Sequence, residues 1–175
     1  ELKPGSEFAT TDLGVTTKEP PRQELRLTID NLGASTTGSN RAGLAYQNRS
    51  LLGFRDDLGL SYTEALGQAS SSATYAFPVN TWGGRLSYGY YKDKTAIKKG
   101  AMSSLKITGE SEAQIVSLRQ PTYVDSTRQL DVVFGGKKRS NTNWIDSVFL
   151  SKSDTRDVNL GIEAQWSGTD SNWFG

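Results

Sequence analysis

Alternation with a period of two limits most strongly how this chain can fold. It recurs along nearly the whole sequence, while 3.6-residue periodicity is scarce. Near 23–31, Leu25, Leu27 and Ile29 alternate with Glu24, Arg26, Thr28 and Asp30. Near 39–48, Ala42, Leu44 and Tyr46 alternate with Arg41, Gly43, Ala45 and Gln47. Near 57–65, Leu58, Leu60 and Tyr62 alternate with Asp57, Gly59, Ser61 and Thr63. Near 69–77, Ala73, Tyr75 and Phe77 alternate with Ser70, Ser72, Thr74 and Ala76, and Pro78 ends the run because proline cannot donate to a ladder. After a turn over 79–84, Leu86, Tyr88 and Tyr90 alternate with Arg85, Ser87, Gly89 and Tyr91. Near 128–136, Leu130, Val132 and Phe134 alternate with Gln129, Asp131, Val133 and Gly135. Near 156–166, Val158, Leu160, Ile162, Ala164 and Trp166 alternate with Asp157, Asn159, Gly161, Glu163 and Gln165. Between them, 104–119 changes phase from Leu105 and Ile107 to Val116 and Leu118, which predicts a bulge near Gly109. About eight consecutive strands result, an all-β chain of up-and-down antiparallel hairpins.

Composition removes most chemistry. The 175 residues contain no cysteine and no histidine, so disulfide scaffolds, the usual zinc sites and Ser-His or Cys-His nucleophiles are excluded. A net charge of +1 gives no electrostatic footprint for nucleic acid. Nothing places two carboxylates together on an aromatic-lined cleft, so no catalytic, metal or cofactor residues are expected. Trp82, Trp144, Trp166 and Trp173 serve equally as core packing, interface anchors or a sugar platform. No window approaches eighteen apolar residues, so no transmembrane helix is expected, which leaves a transmembrane barrel untouched. The chain opens on Glu1 without a charged-then-apolar leader, so an export signal would lie upstream or have been removed.

Alternating strands have two solutions. In a soluble sandwich the apolar rows face inward; in an outer-membrane barrel they face lipid and the polar rows line a lumen. Three features favour the barrel. Tyr46, Tyr62, Phe77 and Trp166 lie at strand ends, where an interfacial girdle belongs. The polar rows are rich in glycine and serine. Connections alternate between tight (49–56, 78–84, 167–172) and longer, polar ones (92–103, 136–147).

Short motifs in fixed order then narrow the field. Leu25 to Gly33 (with Asp30-Asn31-Leu32-Gly33), Thr37-Gly38, and Asn48 to Asp56 (with Leu51-Leu52-Gly53-Phe54-Arg55-Asp56) resemble the start of the barrel in two-partner secretion (TpsB) transporters. That family opens its barrel with "D-N-x-G" and "t-G", and joins strands two and three with "N-L-L-G-x-x-D"; here Arg49-Ser50 separate Asn48 from the leucines. Ala73 to Pro78, Trp82 to Leu86 and Val116 to Pro121 resemble later strand boundaries of the family. Leu2 to Gly5, Thr11 to Val15 and Thr17 to Pro20 resemble the tail of a polypeptide-transport-associated (POTRA) domain, with Pro20-Pro21 as a stiff linker.

The resemblance implies residues 1–21 as POTRA tail and linker, and 22–175 as the N-terminal half of a transmembrane β-barrel that has sixteen strands in the family. The family's "V-R-G-Y/F" loop motif is not present. It further implies a bacterial outer-membrane location and export of one unfolded partner exoprotein: an adhesin, a haemolysin or a contact-dependent inhibition toxin. Lumen-lining candidates are Arg26, Asp30, Arg41, Asp57, Arg85, Asp131, Asp157 and Glu163; singly, each reads as readily as a solvated cross-strand ion pair. Lipid-facing candidates are Leu25, Leu27, Ile29, Leu44, Tyr46, Leu58, Leu60, Tyr62, Tyr75, Phe77, Leu86, Tyr88, Leu130, Val132, Phe134, Val158, Leu160, Ile162 and Trp166. Partners are the exoprotein, outer-membrane lipid and lipopolysaccharide; Lys92, Lys94, Lys98, Lys99, Lys137, Lys138 and Arg139 on two basic loops read first as plain solvated loops and second as a match for its phosphates. Two other readings stay open: an outer-membrane protein insertase of the same superfamily, and a soluble β-sandwich binding module.

Overall fold

Leucine, tyrosine and β-branched residues alternating with small polar ones favour extended backbone, and turn-forming residues between the runs fold it back on itself. The computed structural model of the chain describes residues 2–4, 11–14, 21–167 and 173–174. Strands β1 (Leu2–Pro4) and β2 (Thr11–Leu13) form a two-stranded sheet. Strands β3 (Gln23–Asp30), β4 (Arg41–Asn48), β5 (Asp57–Ala65), β6 (Gln68–Pro78), β7 (Arg85–Ala96), β8 (Ile107–Val124), β9 (Arg128–Ile145), β10 (Val148–Ser167) and β11 (Trp173–Phe174) form one antiparallel sheet. Its order follows the chain from β3 to β11, so every connection is a hairpin. The described helical content is a single 3-10 turn at Ser103–Leu105. The eight expected strands are β3 to β10.

Two sequence expectations fail. The phase change at 104–119 is not a bulge: β8 pairs with β7 and β9 without interruption from Ile107 to Arg119, and its one shift lies between Pro121 and Tyr123. Ile107 and Ile115 simply sit on the polar face. The segment 136–147 is not a loop either. β9 and β10 are 18 and 20 residues long and meet at Asp146 and Ser147, both in the left-handed region (φ 47° and 67°), the signature of a type I′ hairpin. Lys137, Lys138 and Arg139 therefore lie on β9, and Lys92 and Lys94 on β7, while Lys98 and Lys99 are on the 97–106 loop. Polar residues on both faces above the apolar rows hide these extensions from a pattern search. The 167–172 turn lies largely outside the described residues.

Register joins the apolar rows into one band. Leu25 pairs with Tyr46, Tyr46 with Leu60, Tyr75 with Tyr88, Leu86 with Leu118, Leu118 with Phe134 and Phe134 with Leu160, all on the same face. The band runs obliquely to these pairings. Following the ladder from Leu27, the centre of the β3 row, through Leu44, Tyr62, Ser71, Lys92, Glu112 and Ser140 leads to Asp154 on β10. The apolar row of β10 is instead centred on Ile162, so the band slips from 154 to 162, eight residues, over the seven strand steps from β3 to β10. At about 3.3 Å per residue and about 4.8 Å per strand, that is a slant of roughly 38° between strand axes and the normal of the band.

The apolar face is uncovered. Leu25, Ile29 and Leu160 are 65%, 89% and 74% exposed, and the buried hydrophobic set among the described residues is Ala113 alone. A sandwich would bury one of these faces against a second sheet, and among the described residues no such layer covers the apolar band.

Candidate functional site

The opposite face carries every lumen-lining candidate. In strand order, β3 to β10 place there Glu24, Arg26 and Asp30; Arg41; Asp57; Arg85 and Asp93; Arg119; Asp131, Lys137 and Arg139; and Asp157 and Glu163. That is six cations and seven anions among glycines, serines and threonines. Every lipid-facing candidate lies on the other face.

Local sequence sets the charges in pairs. Asp30, at the end of β3, accepts from Arg41 Nε at 2.8 Å and Nη2 at 3.1 Å, and from the Leu32 N–H at 2.9 Å. One carboxylate thus closes the 31–40 loop and clasps the next strand, which gives the aspartate of Asp30-Asn31-Leu32-Gly33 a physical task. At the other end, Glu24 binds Arg26 (2.7 Å) and Arg49 (3.1 Å). On the long strands, Arg119 bridges Asp131, through Nε at 2.7 Å, and Glu163, at 3.1 Å, so three successive strands share one charge group. Gln129 Nε2 also donates to the carboxylate of Asp131, which is 1% exposed. Asp57 accepts from Gln47 at 3.3 Å, Arg85 donates to the Arg55 carbonyl at 3.1 Å, and Asp157 stands opposite Lys137.

Sequence reasoning passed over Glu24, Arg49, Arg119 and Tyr91. Arg119 alternates with Leu118, a usable signal, but the apparent phase change upstream concealed it. Tyr91 lies over Gly89 on the same strand, where a Cβ would meet its ring at 2.8 Å.

The turn before β5 is organised by a buried acid. Asp56, fully buried, accepts the N–H of Leu52 (3.0 Å), the N–H of Phe54 (3.2 Å) and the Tyr75 hydroxyl (3.0 Å). Burial pushes its carboxyl upward, but these donors outweigh it and hold the group below the usual carboxylate range. The bond to Tyr75 ties the Leu-Leu-Gly-x-x-Asp turn to the Tyr-x-x-Pro end of β6. In the 79–84 turn, Asn80 Oδ1 accepts from Trp82 and Gly84, while its amide donates to Gln120 at 2.7 Å. At the opposite rim the Thr36 and Thr37 carbonyls accept from Lys98, Lys99 and Gly67, which docks the 31–40 loop over the short β5–β6 hairpin.

No group of three or more potential metal ligands occurs among the described residues, and no helix is long and apolar enough to cross a membrane. This face offers hydrogen bonds and compensated charge rather than a reactive constellation. A surface of that kind is wettable.

Known proteins align with this geometry. The family described as haemolysin secretion/activation protein ShlB/FhaC/HecB matches residues 9–171. No curated protein matches the sequence. Among solved structures, CdiB from Escherichia coli is similar with a TM-score of 0.76 at 17% identity, over 97% of this chain and 33% of that one. CdiB from Acinetobacter baumannii is similar with a TM-score of 0.67 at 15% identity, over 84% and 29%. BamA from Haemophilus ducreyi, lacking POTRA domains 1–3, gives 0.54 at 12% identity, over 86% and 31%. The chain thus spans about a third of the length of each of these structures.

Proposed function

Because this chain belongs to the haemolysin secretion/activation protein family, we propose that it forms part of the wall of a two-partner secretion pore. As a member of that family it is an outer-membrane β-barrel protein. The exposed apolar band faces lipid, and the polar face lines the lumen through which an unfolded exoprotein passes. Residues 1–21 are the end of a POTRA domain with its linker, and 22–175 belong to the first half of the barrel. The cargo class is an adhesin, a haemolysin or a contact-dependent inhibition toxin.

The slant of the apolar band is the observation that carries this reading. Its roughly 38° falls within the about 35–45° strand tilt of membrane barrels, and a sandwich imposes no such relation. Along β10 the row from Val158 to Trp166 rises about 21 Å on that slant, near the roughly 25 Å apolar height of outer-membrane barrels. Paired charges on the polar face suit transit, since unpaired ones would bind a passing chain.

Photocrosslinkers at Gly161 and at Leu160 of the full-length transporter, with the exoprotein stalled in passage, test the facing directly. Position 161 is expected to crosslink to cargo and position 160 to lipid alone. Cargo crosslinks at 160 but not at 161 would reject the assignment, and capture of unfolded barrel precursors in place of exoprotein would favour an insertase.

A further inference from the structure

Above the apolar band, the same outward face becomes charged over β7 to β10. The ladder row Tyr88, Val116, Gly136, Val158 is the last apolar one there. The next row is Tyr90, Gln114, Lys138, Arg156, and the one beyond it Lys92, Glu112, Ser140, Asp154. Lys138 and Arg156 are thus direct cross-strand partners, two like charges opposed on one face, an arrangement that is unfavourable unless an anion lies between them. Both nearby glutamates are taken up by Lys92, and Asp154 is shared between Lys152 and Lys138. Glu112 and Glu110 hold Lys92 at 2.7 and 2.5 Å, and Asp154 pairs with Lys152 at 3.6 Å while feeling Lys138 from farther off. A cleft of about 300 Å³ opens at this place, lined by Lys138, Arg156 and Lys152 with Gln114, Glu112 and Asp154.

We infer that Lys138 and Arg156 form a binding site for the phosphates of lipopolysaccharide in the outer leaflet. The inference rests on the facing proposed above, which turns this surface toward lipid, and it takes the 146–147 rim, toward which β8 to β10 are extended, as the one on the cell exterior. Height fits: Arg156 is the first outward position after Val158, so its guanidinium stands where acyl chains give way to head groups. Charge fits as well, since the outward side chains of these two upper rows and the next, Lys94, Glu110, Thr142 and Lys152, sum to five cations against three anions. Phosphate is the anionic chemistry present at that depth, and a guanidinium with an ammonium opposite can clasp it from two sides. Lys137 and Arg139 flank Lys138 in sequence but point to the other face, so sequence proximity and site membership separate cleanly.

Titration of the full-length transporter in nanodiscs with purified lipopolysaccharide, phosphatase-stripped lipopolysaccharide and phosphatidylglycerol tests the site. The Lys138→Ser/Arg156→Ser variant is expected to bind lipopolysaccharide roughly thirtyfold more weakly, the worth of two cations at an anionic surface. Stripping the phosphates should weaken wild-type binding to a similar degree. Lys138→Arg/Arg156→Lys, which keeps the charge, and Lys137→Ser/Arg139→Ser, on the far face, should bind as wild type; the first also guards against a simple folding defect. Wild-type affinity in the Ser/Ser variant would overturn the site, and equal affinity for phosphatidylglycerol would overturn lipopolysaccharide as its occupant. Exoprotein secretion, followed separately in the same strains, reports on the pore: intact secretion with unaltered lipopolysaccharide binding removes only this site, and absent secretion by the wild type removes the transport reading.

Discussion

Two glycines show how differently neighbouring parts of this wall tolerate a side chain. Gly33 ends the Asp30-Asn31-Leu32-Gly33 motif, and its N–H donates to the Ser39 carbonyl at 2.8 Å. A Cβ there would run into the backbone carbonyls of Gly38 and Ser39, atoms that cannot rotate away. Gly161 has nothing within 4 Å of where its Cβ would be. Gly33→Ala should therefore cost about 1–3 kcal/mol, as overpacking against rigid neighbours does, and Gly161→Ala within about 0.5 kcal/mol of nothing. Heat-modifiability of the folded barrel on gels would rank the two; equal behaviour would contradict the packing at Gly33. The motif glycine is thus required by close backbone approach at a φ that any residue could adopt. A reading of glycine as a mark of flexibility would have missed that.

Turns and strands differ in how plainly the sequence announces them. The 125–127 turn between β8 and β9 is held by Asp125, whose carboxylate accepts the N–H groups of Thr127 and Arg128 at 2.7 Å each and the Tyr123 hydroxyl at 2.8 Å. The Thr127 N–H first, and then Tyr123, bring its pKa down to about 2. Because the folded value lies below the ordinary 3.8, the carboxylate contributes stability that is complete above that ordinary value and is lost as pH falls toward 2. Amide exchange at Thr127, corrected for its intrinsic rate, should stay protected at pH 4 and lose protection on approaching pH 2; loss already at pH 5 would contradict the assignment. Seven of the eight strands were legible because each carries one apolar row of three or more; β8, whose outward row offers only Val116 and Leu118, showed as a change of phase. The upper halves of β8, β9 and β10 were not, since polar side chains on both faces leave no period to detect. For Asp30 and Arg41 the sequence offered a cross-strand ion pair without naming the partner, and the Arg119, Asp131, Glu163 group needed the full register.

Taken as one body, the wall is an amphipathic sheet whose stability depends on what wets each face. Leu60 and Leu160 lie near the middle of the band on β5 and β10. Arginine at either position should cost roughly 2–4 kcal/mol at mid-bilayer depth and block assembly into vesicles. Folding yield into lipid vesicles at matched expression measures it, and unimpaired insertion of Leu160→Arg would refute the outward assignment. Periodicity alone was symmetrical between the two facings. The register-wide slant and the bare apolar face are properties of the assembled sheet, and no single strand contains them.

Strand length climbs from 8 residues in β3 to 20 in β10, and, measured from the apolar band, nearly all of the surplus stands on the side of the 146–147 turn. In the proposed pore this part of the wall would be lopsided, with a parapet on one flank and a low sill on the other. A polypeptide leaving the proposed pore would gain open water first over the sill, beside β3 to β6. It would stay screened longest against β8 to β10, so its first folding outside would begin on a predetermined side of the exit.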